Sequence, residues 1–214
     1  MPEIIYLDPV RPAAVGIEKA VSSLRSGKLL AYPTETFYGL AADGMNEAAI
    51  TNIFRIKGRS FHSPIALIIA EKKVLDKLTT AVPKTAARLL DIFWPGPLTL
   101  VFAASPSVSP LLTAGTGKIG IRISSHPVAH ALAAALGGPI TATSANLSGC
   151  QECTTVGEVR EQIHSDLLTT FLDGGTTPGG KGSTFVDVTT DPPSILRAGA
   201  IPAAAIKAVL RERF

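Results

Sequence analysis

The chain has 214 residues, 46% of them hydrophobic and 17% charged, with a formal net charge of +3. That length supports one sizeable core, and the lack of a compositional break or a long Pro- or Ser-rich linker predicts a single domain over residues 1–214. No apolar run approaches the roughly 20 residues of a membrane span, and the amino-terminal segment has no basic leader before an apolar stretch, so a cytoplasmic location without membrane association is expected.

Between 12 and 26, Val15, Ala20, Val21 and Leu24 recur near helical spacing, and Gly27 stands where a helix C-cap is expected. A strand follows over 28–32 and runs into the polar turn Pro33-Thr34-Glu35-Thr36. Asn46 is placed to cap a helix over 47–56, which ends at Lys57-Gly58-Arg59, and the apolar run 65–70 suits a buried strand. A helix over 83–93 opens on proline and is stopped by Trp94-Pro95-Gly96-Pro97. Strands are expected over 98–103 and 119–124, an alanine-rich helix over 126–136, and a strand over 139–143 that leads into Ser144-Ala145-Asn146. A helix over 155–168, extended segments over 183–188 and 194–196, and a closing amphipathic helix over 202–214 complete the series. Several strands follow one another without a helix between them, so the expected class is α/β with a mixed parallel and antiparallel sheet flanked by helices.

Hydroxyls and cations gather at the loop ends, where ligand chemistry usually sits. Lys57 and Arg59, two apart beyond a helix, can converge on one anion, with an arginine fork and a lysine point charge suiting a polyphosphate; a solvated helix terminus is the bland alternative. Ser63-Pro64 adds a hydroxyl and a rigid entry into the next strand. Arg122 interrupts an apolar strand and is either turned to solvent or held by an anion, and Arg197 allows the same two readings. Glu35 could act as a base or could satisfy backbone amides in its turn.

Several signals lead nowhere. Residues 175–181 resemble the start of a phosphate-binding P-loop, but Gly182 stands where the magnesium-binding hydroxyl belongs and a strand follows instead of a helix. That glycine-rich segment can still bring backbone amides and the Ser183 hydroxyl to a ligand, or close over one. Cys150 and Cys153 form a lone CxxC, for which reduced loop thiols are the simplest reading. His126 is placed to start a helix, and no serine, histidine and acid combination marks a triad.

Taken together, YPTETFYGLA at 32–41, KGR at 57–59, Ser63-Pro64, WPGPLTLV at 94–101, IGIRIS with its following His-Pro, TSANLSG at 143–149, STFVD at 183–187 and LRAG at 196–199 resemble the YrdC-type threonylcarbamoyl-AMP synthases. The resemblance covers nearly the whole chain in family order. It implies a twisted mixed sheet of the YrdC/RibB-like kind around a basic concave cavity. It also implies that L-threonine, bicarbonate and ATP give threonylcarbamoyl-AMP and pyrophosphate, the first step toward N6-threonylcarbamoyladenosine in tRNA. By matching position, Lys57 and Arg59 would act on the triphosphate, and Ser63, Lys118, Ser144, Asn146 and Arg197 would contact ATP. Thr36, Arg122, Ala142 and Ser183 would hold threonine, with Arg122 on its carboxylate. Mg2+ would arrive with ATP, and the labile product would pass to separate downstream transfer proteins. The chain departs from the family at Ile68, where a histidine is often found, and at Glu152, where a small or polar residue is common. A protein using the same cavity for tRNA, rRNA or other double-stranded RNA, or a divergent paralogue with weak or different activity, is the competing reading; few aromatics are interleaved with the basic residues, which counts against RNA binding.

Overall fold

The computed structural model describes residues 2–211, so the last three positions of the expected closing helix lie outside the described residues. Ten strands form one sheet in the order β1-β8-β2-β3-β7-β4-β6-β5-β9-β10. They are β1 (Glu3–Tyr6), β2 (Leu29–Pro33), β3 (Tyr38–Ala41), β4 (Ala66–Ile68), β5 (Leu98–Ala103), β6 (Lys118–Arg122), β7 (Ile140–Ser144), β8 (Leu168–Asp173), β9 (Thr184–Asp187) and β10 (Ser194–Arg197). The pairs β1 with β8, β8 with β2, β4 with β6 and β5 with β9 are parallel, and the others are antiparallel. The mixed sheet expected from the sequence is therefore present.

The helices are α1 (Ala14–Arg25), α2 (Glu47–Lys57), α3 (Leu75–Leu78), α4 (Lys84–Phe93), α5 (Pro110–Thr113), α6 (Pro127–Leu136), α7 (Val156–Gln162) and α8 (Ala203–Arg211). Asn46 caps α2 through its side chain, which accepts from the Ala49 amide at 3.1 Å, and His126 caps α6 by accepting from the Val128 amide at 3.2 Å. Three strands were not expected. β1 and β3 are four residues each, too short to show a period, and β3 contains a glycine. The expected helix over 155–168 stops at Gln162, and its last apolar residue, Leu168, opens β8 instead. Leu167, four residues after Ile163 and eight after Val159, continues the helical spacing, while Leu168 beside it is taken into the strand once the chain has turned.

Period-2 alternation divides the sheet's apolar side chains between two clusters. Leu29, Ala31, Leu67, Leu100 and Ile121 face α2, α4, α7 and α8, and together they make the larger core. Leu30, Tyr32, Ile68 and Ile140 face α1 and α6 on the other side. Those two helices rest on β2, β4 and β8, and among the described residues neither makes a comparable contact with β6, β9 or β10. Beside the two helices, on the same side of the sheet, the alternation places Ala66, Arg122, Ala142, Ser144 and Phe185. A cavity forms there because the sheet is broader than the pair of helices laid on it.

Candidate active site

The turn after β2 lines one side of this cavity with Thr34 and Thr36, and the connection from α2 to β4 lines another with Arg59. The ends of β6 and β7 supply Arg122 and Ser144 to its floor, while Glu152, Ser183 and Arg197 close the far side. Three arginines and one carboxylate thus share one polar cleft.

Arg122 sits 9% exposed at the end of β6. Its Nε faces Glu35 Oε1 at 3.4 Å, and neither atom has a hydrogen-bond partner. The other carboxylate oxygen of Glu35 accepts a hydrogen bond from the Ser124 hydroxyl. Glu35 therefore bonds to a side chain and faces a cation, and it does not satisfy backbone amides of its turn. Thr34 does that work, accepting from the Thr36 amide at 3.2 Å and donating to the Phe37 carbonyl at 2.7 Å.

Arg59 donates to Thr143 Oγ1 at 3.2 Å and to the Pro64 carbonyl at 2.8 Å, while its Nε is buried without a partner. Burial, and secondarily the charge of Arg197, lowers its pKa from the usual guanidinium range. Arg197 lies over the Phe185 ring with 4.4 Å from its guanidinium carbon to the ring centroid, and its Nη2 donates to the Ser183 carbonyl at 2.9 Å. Burial lowers its pKa as well, opposed by Glu152. Ser183 in turn accepts from Thr99 Oγ1 at 3.0 Å, which leaves its own hydroxyl hydrogen available.

The 174–182 loop carries Ser183 to the cavity and is pinned to the opposite wall. Its Gly179 amide donates to the Thr36 carbonyl at 2.7 Å, and its Gly175 carbonyl accepts from the Tyr38 hydroxyl, also at 2.7 Å. No helix follows it, which removes the P-loop reading. Gly199 packs against this loop so closely that an added Cβ would lie 2.2 Å from the Gly182 carbonyl oxygen, so the LRAG glycine is a steric requirement.

Seven of the expected site residues, Thr36, Arg59, Arg122, Ala142, Ser144, Ser183 and Arg197, meet on one wall system. Four others do not. Lys57, the last residue of α2, points inward, and its ammonium donates to the Ser144 carbonyl, to the Asn146 carbonyl at 2.6 Å and to Asn146 Oδ1 at 3.2 Å. Those three acceptors match the three donors of an ammonium group. Gly58 then takes the left-handed conformation at φ 57° and reverses the chain, so Lys57 and Arg59 diverge instead of converging on one anion. Asn146 is turned inward too, its amide donating to the carbonyls of Leu147 at 2.9 Å and Cys150 at 2.7 Å. Lys118 pairs with Asp187 at 2.8 Å, and Ser63 lies in the turn ahead of the wall residue Pro64.

Glu152 is the departure that reaches the cavity, whereas Ile68 is buried in the cluster under α1 and α6. Cys153 is buried, which raises its thiol pKa to about 11, and Cys150 is exposed. Both carry structural carbonyls: that of Cys153 accepts from the Tyr38 amide at 2.8 Å. No helix among the described residues is long and apolar enough to cross a membrane.

A family model named Sua5_yciO_yrdC, described as telomere recombination, matches residues 22–199. A threonylcarbamoyl-AMP synthase of Pyrococcus abyssi is 39% identical over 92% of this chain, which spans 57% of that protein. One from Bacillus subtilis is also 39% identical, with 91% of this chain matched to 56% of its own length. The putative threonylcarbamoyl-AMP synthase of Mycobacterium leprae, of which 89% is covered, is 36% identical. The crystal structure of P. abyssi Sua5 complexed with L-threonine superposes with a TM-score of 0.93 at 38% identity, covering 98% of this chain and 61% of that one. E. coli YciO matches with a TM-score of 0.84 at 28% identity, over 94% and 97% of the two chains. With a model matched across most of its length and relatives of this identity, the chain belongs to the Sua5/YciO/YrdC family.

Proposed function

We propose that the chain is a threonylcarbamoyl-AMP synthase, a nucleotidyltransferase that makes threonylcarbamoyl-AMP and pyrophosphate from L-threonine, bicarbonate and ATP. The observation that carries the reading is Arg122, a buried cation facing a cavity rimmed by hydroxyls with two further arginines in it. A guanidinium presents a planar fork that matches a carboxylate, so Arg122 suits the threonine carboxylate, with Thr36 and Ser183 within the same wall for the amino acid's polar groups. The match to a relative solved with L-threonine supports that assignment. Arg59, Ser144 and Arg197 then serve the nucleotide, while Lys57 and Asn146 act behind the wall by fixing the loop that presents Ser144.

In the proposed reaction the threonine amine adds to carbon dioxide and loses a proton, or condenses with bicarbonate and loses water, and either route gives a carbamate. A carbamate oxygen attacks the α-phosphorus of ATP, the bond to the β-phosphate oxygen breaks, and pyrophosphate leaves with its electron pair. No side-chain nucleophile is required; the cations position the two anions and offset the charge that builds on the leaving group. Among the described residues no three His, Cys, Asp or Glu side chains gather at one point, and Glu152 is the carboxylate on the cavity wall. That donor set would suit a Mg2+ ion carried mainly on phosphates and water, with Glu152 the carboxylate available to it, and the ion would offset phosphate charge. The product would pass to transfer proteins that act on tRNA.

Pyrophosphate release from ATP, Mg2+ and bicarbonate tests the reading, with L-threonine added or omitted and serine and valine as controls. Turnover that needs both threonine and bicarbonate is the expected result. ATP binding without threonine-dependent pyrophosphate would contradict the reading and favour a divergent paralogue, and tRNA binding without either would favour an RNA-binding role.

A further inference from the structure

Glu35 is not among the residues that line the cavity, yet it is nearly buried, 11% exposed, and turned toward Arg122. It is anchored from behind. The Ser124 hydroxyl, itself buried, donates to Glu35 Oε2, and the same oxygen of Ser124 accepts from the His126 amide at 3.2 Å where α6 begins. The backbone at the start of a helix thus fixes a serine, the serine fixes a carboxylate, and the carboxylate addresses the Nε edge of the arginine. At 3.4 Å that last contact is about half an ångström wider than a charge-assisted hydrogen bond. Both of its atoms are buried without a hydrogen-bond partner, a state that costs stability and that a small shift of the guanidinium would relieve.

We propose that Glu35, held by Ser124, is a positioning residue for threonine recognition: it holds the Nε edge of Arg122 so that the two terminal nitrogens face the cavity as the fork for the substrate carboxylate. This rests on the reading of Arg122 as the carboxylate clamp. Without Glu35 the guanidinium would be a buried cation free to rotate about its last torsion, and side-on and end-on approaches would compete. With Glu35 on the Nε edge, only the end-on approach to the fork remains.

The test is steady-state kinetics of pyrophosphate release with threonine and ATP varied separately, for Glu35→Gln, Ser124→Ala and Arg122→Ala, with thermal melting of each variant. Glu35→Gln is expected to raise the threonine KM about ten-fold or more while the ATP KM stays within about two-fold. Ser124→Ala should move the threonine KM in the same direction by about three-fold. A folded Glu35→Gln protein with an unchanged threonine KM overturns the inference, as does a parallel rise of both KM values, which a merely structural role would give. Should Glu35→Gln not fold, an unchanged threonine KM in Ser124→Ala overturns it. Arg122→Ala separates the two layers: if it too leaves the threonine KM unchanged, the reading of the site has failed, and if it alone raises that KM, only the role of Glu35 has.

Discussion

Where α2 meets the loop after β7, the Lys57 ammonium is surrounded by three protein oxygens and faces away from the cavity. Across the cleft, at the end of β6, Arg122 is just as thoroughly buried but has an unsatisfied Nε edge and a place on the cavity wall. The two cations differ in what the surrounding chain offers them. The Ser144–Asn146 backbone turns its carbonyls toward Lys57, so the charge becomes a fastening between α2 and β7. Among the described residues no carbonyl accepts from the Arg122 guanidinium, whose ion pair is with the Glu35 carboxylate on its Nε edge. A buried cation is a binding group when its donors outnumber the acceptors around it.

Breaking the open side should have the largest effect on activity. On the proposed function, Arg122→Ala and Arg59→Ala are each expected to lower pyrophosphate formation by about two orders of magnitude or more, measured as kcat/KM, because each would remove a clamp on a substrate anion. Breaking the fastened side should instead appear in stability. Lys57→Met leaves the carbonyls of Ser144 and Asn146 buried and unpaired, and a urea melt is expected to show a loss of about 2–4 kcal/mol.

A smaller effect sharpens the contrast through pH. Burial, and then the charge of Arg59, lowers the Lys57 pKa from 10.5 to about 8. Between those values the unfolded chain holds the proton and the folded chain does not, so the contribution of this group to stability rises with pH above about 8. Raising the pH from about 7 to about 9 should widen the stability gap between the parent protein and Lys57→Met by about 1 kcal/mol. A gap that narrows over this range would mean that the three acceptors hold the ammonium more tightly than burial expels it. The smallest effect is expected at Lys181, which is exposed in the loop that resembles a P-loop without being one. Lys181→Ala should leave the ATP KM within about two-fold, and a larger rise would return that loop to the nucleotide site.

Much of this contrast was legible in the residues, but not which cation played which part. Arg122 stood out because an arginine inside an apolar strand demands an explanation, and the cluster after β7 stood out because three hydroxyls and an amide at a strand end are unusual. The inward turn of Lys57 depends on a single left-handed residue, Gly58, and spacing alone does not show which side of that reversal faces the ligand. Asn146 is ambiguous for the related reason that an amide can bind a ligand or tie a loop with the same chemistry, and here its amide donates to the loop's own carbonyls. The Glu35 to Ser124 contact joins positions 89 apart, with no local pattern to announce it. Glu152 departs from the family pattern in the sequence, and only the fold shows that it reaches the cavity near Arg197. The strands that went unseen, β1, β3 and the start of β8, are short or continue a helical period, and pairing across the sheet decides them.

The most direct test of the claim that Arg122 is the open cation is calorimetric titration of the parent protein with L-threonine and with L-threoninol, which lacks the carboxylate. The account predicts saturable binding of threonine and at least about ten-fold weaker binding of threoninol, with the preference abolished in Arg122→Ala. Equal affinity for the two compounds in the parent protein, or a preference that survives in Arg122→Ala, would contradict it.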